Sequence, residues 1–138
     1  MDKLIRFTTS DLSKVTNYRS GEVKFGEKMV VIPQNEDVST FLKNCEPQFV
    51  LFGIPEDIGV RANFGRPGAD SAWESAIKSI ANIQHNRFSK GYNIVVLGQL
   101  DVSEEMEAIQ HLDFHKIEDR KKMSELVVKI DKEVAHII

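Results

Sequence analysis

The sequence has a single cysteine, Cys45, and so cannot form an internal disulfide. That excludes the disulfide-stapled secreted scaffolds and predicts a reducing, cytoplasmic setting. It has no long hydrophobic run: the longest, residues 49–54 and 94–97, fall far short of the roughly 20 residues a membrane-crossing helix needs. No uninterrupted apolar segment follows Met1, so no secretion leader is expected. The chain also lacks a large excess of either charge, with 18 Lys+Arg against 21 Asp+Glu and a net charge of −3. The longest basic run, Arg120-Lys121-Lys122, directly follows Glu118-Asp119. Without a basic stripe there is nothing to displace counterions from a phosphate backbone, and no nucleic-acid partner is expected. What the chain does have is 41% hydrophobic and 28% charged residues over 138 positions, the composition of an ordinary folded domain.

Hydrophobic spacing predicts α/β organisation. Residues 1–27 read as irregular, with one short helix near residues 10–15. Residues 28–32 form a short β-branched run stopped by Pro33, and Asn35-Glu36-Asp37 supplies a cap for a helix through Asn44. Val38, Phe41, Leu42 and Cys45 recur at i, i+3, i+4 and i+7, so Cys45 is expected in the core. Residues 49–54 show no polar alternation and predict a parallel strand covered on both faces. Residues 56–69 read as a long loop, and Ser71-Ala72-Trp73-Glu74 fits a capping box opening a helix whose Trp73 and alanines pack on a sheet. Residues 93–97 predict a second buried strand, joined to the first by a right-handed crossover. Residues 98–114 are polar and acidic. Met123, Leu126, Val127, Ile130, Val134 and Ile137 then define a final amphipathic helix.

The segment with the most unusual composition, residues 53–69, carries four glycines, two arginines and an asparagine after a strand. Connections in α/β units usually need about 2–6 residues. Open α/β sheets place ligands at the carboxyl ends of their strands. Arg61, Asn63 and Arg66 offer donors suited to a carboxylate. The same arginines could instead pair with Glu56 and Asp57 and hold the loop closed, and the residues leave both readings open. Neither a P-loop nor a G-x-G-x-x-G dinucleotide fingerprint is present. There is no Gly-x-Ser-x-Gly nucleophile elbow. His111-Leu112-Asp113-Phe114-His115 has the alternation of a ligand set but sits in an acidic, weakly periodic stretch, where a solvated loop is expected.

The order Gly53-x-Pro55-x-Asp57-x-Gly59-Val60-Arg61-x-Asn63-x-Gly65-Arg66-x-Gly68-Ala69, followed by Val95-Val96-Leu97-Gly98-x-Leu100-Asp101-Val102, resembles the ureohydrolase family of arginase, agmatinase and formimidoylglutamase, formimidoylglutamase-like members above all. The resemblance implies a three-layer α/β/α arginase-like fold, of which residues 48–138 are the incomplete amino-terminal part and residues 1–47 an extension. It implies hydrolysis of a guanidino or formimino C–N bond by two manganese ions in the full-length protein. The family's Gly-Gly-x-His, Asp-x-His-x-Asp and Asp-x-Asp ligand segments do not occur here, so this chain is expected to hold no metal and no catalytic residue. Arg61, Asn63 and Arg66 become the candidates for binding a small amidine or guanidino substrate. A partial parallel sheet leaves open edges, which predicts a homo-oligomer. The alternatives are a non-catalytic binding or assembly module using the 53–69 loop, and a regulatory subunit without metals.

Overall fold

The computed structural model describes residues 3–138. Its strands are β1 (Leu4–Arg6), β2 (Val30–Val31), β3 (Phe49–Gly53) and β4 (Ile94–Leu100). Its helices are α1 (Thr9–Val15), α2 (Val38–Cys45), α3 (Ile58–Ala62), α4 (Ala72–Ala81), α5 (Ser103–Ala108) and α6 (Ile117–Ile137). The α/β class is as expected. The chain divides into two compact units, one formed by Arg6–Gly53 and Glu74–Gln99, the other by residues 3–5, Ile54–Trp73 and Leu100–Ile138.

β4 is the central strand of the sheet and the most buried, with Val95 and Val96 wholly inaccessible. Its β-branched run Ile94-Val95-Val96 suits a strand covered on both faces. β2 pairs with it in parallel at Val30↔Val95 and Val31↔Val96. β3 also pairs with it in parallel, from Phe49↔Ile94 to Leu51↔Val96, with a register shift before Phe52↔Gly98. β3, α4 and β4 are therefore the expected βαβ succession. The strand order is β1-β4-β2, with β3 pairing β4 as well. Hydrogen bonds from Phe7 N–H to the Leu97 carbonyl and from Asp101 N–H to the Lys3 carbonyl run β1 antiparallel to β4. The sheet is thus mixed, which corrects the expectation of parallel strands alone; before residue 28, α1 stands where the short helix was expected, and β1 is a strand where irregular structure was expected.

The start of α1 is a capping box. The Thr8 hydroxyl accepts from Asp11 N–H at 3.1 Å and the Asp11 carboxylate accepts from Thr8 N–H at 3.0 Å, which satisfies two donors that a helix start leaves open. Thr16, just after the helix, is buried and its hydroxyl donates to the Leu12 carbonyl. Gly26 lies directly against it: a Cβ built there would stand 1.9 Å from Thr16 Oγ1. Gly26→Ala is therefore expected to destabilise the protein by about 1–3 kcal/mol, as overpacking does. A denaturation midpoint unchanged from the parent would refute that contact.

Several local expectations are corrected. Cys45 is exposed, because it is the last residue of α2 and Glu46 follows in the left-handed conformation (φ 45°), turning the chain away before the stripe reaches a neighbour. The Asp37 cap itself stands as expected, its carboxylate accepting from Thr40 N–H at 2.9 Å. β3 is not covered on both faces: Phe49 and Val50, consecutive residues that point to opposite faces, are 60% and 42% exposed, and the strand is paired with β4 on one edge only among the described residues. Ser71 caps nothing. It ends a 3-10 turn (Ala69–Ser71), and its hydroxyl donates to the Gly68 carbonyl at 2.9 Å. Ala72 and Ala76 are exposed and Trp73 half-buried, while Ile77 and Ala81 carry the buried face of α4. The acidic stretch after β4 contains α5, which the sequence pattern did not show. No described helix is long and apolar enough to cross a membrane.

Candidate functional site

The 53–69 segment is not an open loop. Asp57 begins a single helical turn, α3, and its side chain is fully buried. Its two carboxylate oxygens accept a fork from Arg61, Nε to Oδ1 at 2.8 Å and Nη2 to Oδ2 at 3.0 Å. Oδ2 also accepts from Gly68 N–H at 2.9 Å. One carboxylate thus ties the start of the segment to its middle and its end. Burial alone would push the Asp57 carboxyl up, but the Arg61 fork and the Gly68 N–H outweigh it and hold it below the usual range. The Arg61 guanidinium is in turn held more strongly protonated by Asp57.

Glycine is required at two places. Gly68 has φ +124°, a conformation L side chains rarely adopt. Gly65 donates its N–H to the Val60 carbonyl at 2.7 Å, and a Cβ there would stand 2.5 Å from Val60 Cγ1. Directly before Gly65 the chain turns through Phe64 in the left-handed region (φ 58°). The Phe64 ring is covered by the Arg120 guanidinium of α6, 4.0 Å from its centroid, which offsets part of that backbone strain. Ile58 of α3 and Met123 of α6 are both wholly buried where the two helices pack.

The three residues singled out from the sequence fare differently. Arg61 is committed to Asp57, the loop-closing arrangement that was one of the two open readings. The Asn63 side-chain amide donates back to the Gly59 carbonyl at 3.1 Å. Arg66 is exposed and makes no hydrogen bond or ion pair with another described residue. Glu56 pairs with no arginine among the described residues; from the position before the Asp57 cap, its carboxylate accepts from Gly59 N–H at 3.0 Å. The stretch from His111 to His115 is a turn in which Asp113 accepts from His115 N–H at 3.0 Å. No group of three or more His, Cys, Asp or Glu is placed to hold a metal ion among the described residues.

Sequence reading missed a second charged centre in the same unit. Glu105 of α5 is buried, and its Oε1 accepts from Lys3 Nζ at 2.8 Å and Lys129 Nζ at 2.7 Å. Its Oε2 is buried without a hydrogen-bond partner among the described residues. Burial pushes this carboxyl up, yet the two ammonium groups more than offset that and hold it down at about 2. No local pattern could reveal the centre, because Lys3 lies 102 positions away in the chain.

The fold therefore defines an α/β protein with a mixed sheet and a self-locked loop after β3. Comparison with family models, with curated proteins and with solved structures gives no match to this chain.

Proposed function

We propose that this chain is the amino-terminal part of a ureohydrolase-like protein of arginase-like fold. In this reading the 53–69 segment frames the pocket for a small amidine or guanidino substrate. The observation that carries it is the division of labour inside the motif. Asp57, Arg61, Gly65 and Gly68 build the loop, while Arg66 is left exposed and unpaired with any described residue, on a segment rigid enough to present it. A preorganised guanidinium binds a carboxylate with less loss of freedom than one on a mobile loop. The open, uncharged edge of β3 supports a sheet that continues in the whole protein. A cytoplasmic homo-oligomer goes with this reading.

The residues present do not fit a manganese pair, because no ligand group converges among the described residues. In this reading two manganese ions would be held by residues other than the described ones.

The test is an assay on the intact gene product with manganese and with arginine, agmatine and formiminoglutamate in turn. Urea or formamide release is expected, and Arg66→Ala is expected to raise KM about tenfold with little change in kcat, the pattern of lost uniform binding. An intact product that binds a carboxylate through Arg66 without hydrolysing any amidine would establish the binding-module alternative. Activity indifferent to Arg66 would remove the residue from the pocket.

A further inference from the structure

The turn between α4 and β4 is ordered by its own side chains. The Asn86 amide oxygen accepts from Phe88 N–H at 2.8 Å and Ser89 N–H at 3.1 Å. Gly91 N–H donates to His85 Nδ1 at 3.0 Å, and a Cβ on Gly91 would lie 2.9 Å from the Phe25 carbonyl oxygen, so the base of the turn is closed against the 3-10 turn Phe25–Glu27. At its tip this frame holds Phe88 83% exposed, with the Arg87 guanidinium 4.4 Å from its ring centroid. Tyr92, against the His85 ring (centroids 5.8 Å apart), is 53% exposed. A large apolar ring held in solvent on an ordered turn contributes nothing to the fold's own core. Aromatic side chains with arginine are what protein interfaces concentrate at their centres. Because the turn is already ordered, little freedom is lost when it docks.

Charge says what it docks against. From Ser75 to Leu100 there is no Asp or Glu, while Lys78, Arg87 and Lys90 are all cationic. The next stretch is its complement: Asp101, Glu104, Glu105 and Glu107 appear with no Lys or Arg before Lys116. Lys3 and Lys129 neutralise the buried Glu105 and face Glu104, which remains mostly exposed, and Glu107 is exposed without an ion-pair partner among the described residues. Ala108 is exposed on the same short helix, next to Glu107 and four positions after Glu104, and its side chain is a single methyl group.

We propose that the Arg87-Phe88 turn is an interaction surface for a second copy of this chain, which it engages at the acidic exposed face of α5. Phe88 lies on Ala108, and Arg87 and Lys90 meet Glu104 and Glu107. The contact is independent of the proposed hydrolase reading and of any pairing along β3.

Sedimentation of the chain at tens of micromolar, in low and high salt, tests it. Association that weakens with salt is expected, since exposed charge pairs are screened. Phe88→Ser, and Arg87→Glu combined with Lys90→Glu, are each expected to weaken it at least tenfold with an unchanged circular dichroism spectrum. Glu107→Lys should weaken it as well, and a mixture of Arg87→Glu with Glu107→Lys should associate more tightly than either alone. A monomer in low salt would overturn the proposal. So would association that ignores these substitutions and is abolished instead by Val50→Lys on the β3 edge.

Discussion

Glu105→Ala is expected to destabilise the protein by about 3 kcal/mol, because it removes the buried carboxylate that two ammonium groups share, while the half-exposed Lys129 can turn to water. The geometry sets the size. Glu105 is buried, Lys3 and Lys129 both lie within 2.8 Å of one oxygen, and the three residues come from the start of the chain, from α5 and from α6. The same centre predicts a pH dependence. The carboxyl is lowered from 4.5 to about 2, so the folded state prefers the charged form. Its contribution is fully present above the ordinary carboxylate range and is lost as pH falls from about 4.5 towards about 2. At about 1.4 kcal/mol for each unit, that amounts to roughly 3 kcal/mol. Urea titrations followed by Trp73 fluorescence across this range should show a steep acid limb in the parent and a shallower one in Glu105→Gln. Replacing Glu105, Lys3 and Lys129 together by Met should recover most of the loss, since hydrophobic substitutes remove the desolvation cost along with the pair. A Glu105→Ala protein within 1 kcal/mol of the parent, with an unaltered acid limb, would show that the centre is not coupled to folding.

Arg61→Ala comes second, at about 3 kcal/mol, because the side chain it strands is a fully buried carboxylate. Asp57 would keep the Gly68 N–H and lose both charge-assisted bonds of the fork. The double substitution Asp57→Asn with Arg61→Ala should cost clearly less than the sum of the two single ones, as coupled partners do. Amide exchange localises the effect: Gly68, whose N–H is held by Asp57, should lose protection in either single variant. The lowered Asp57 carboxyl adds to the acid sensitivity with the same sign, present above the ordinary carboxylate range and lost as pH falls below it. If Arg61 instead belonged to the substrate alone, its removal would leave stability unchanged.

These two centres differ in how far they could be read beforehand. Asp57 and Arg61 stand four positions apart in a glycine-rich stretch, so pairing between them was one of the open readings of that stretch. Helix spacing then makes the fork possible, because α3 brings residues four apart onto one face. The α3 turn itself was not visible, since five residues are too few to show a period. Lys3, Glu105 and Lys129 carry no pattern at all, and only the packing of distant segments makes them a unit.

The sequence by itself determined the elements with a long period or a continuous apolar run. α6 declares its buried Met123 and Ile130 by spacing, and β4 its covered faces by an unbroken β-branched stretch. The four glycines of the 53–69 segment were plain in the sequence, but which of them is required, Gly68 at φ +124°, only the fold shows. Tertiary structure decided which apolar residues are actually covered. Cys45 and Phe49 carry the pattern of core residues and stand exposed, because burial requires a neighbour on that face and periodicity records only the side chain's own preference. It likewise decided that Arg61 closes the loop while Arg66 stays unpaired among the described residues, since a charge finds its partner by distance in space and not by position in the chain.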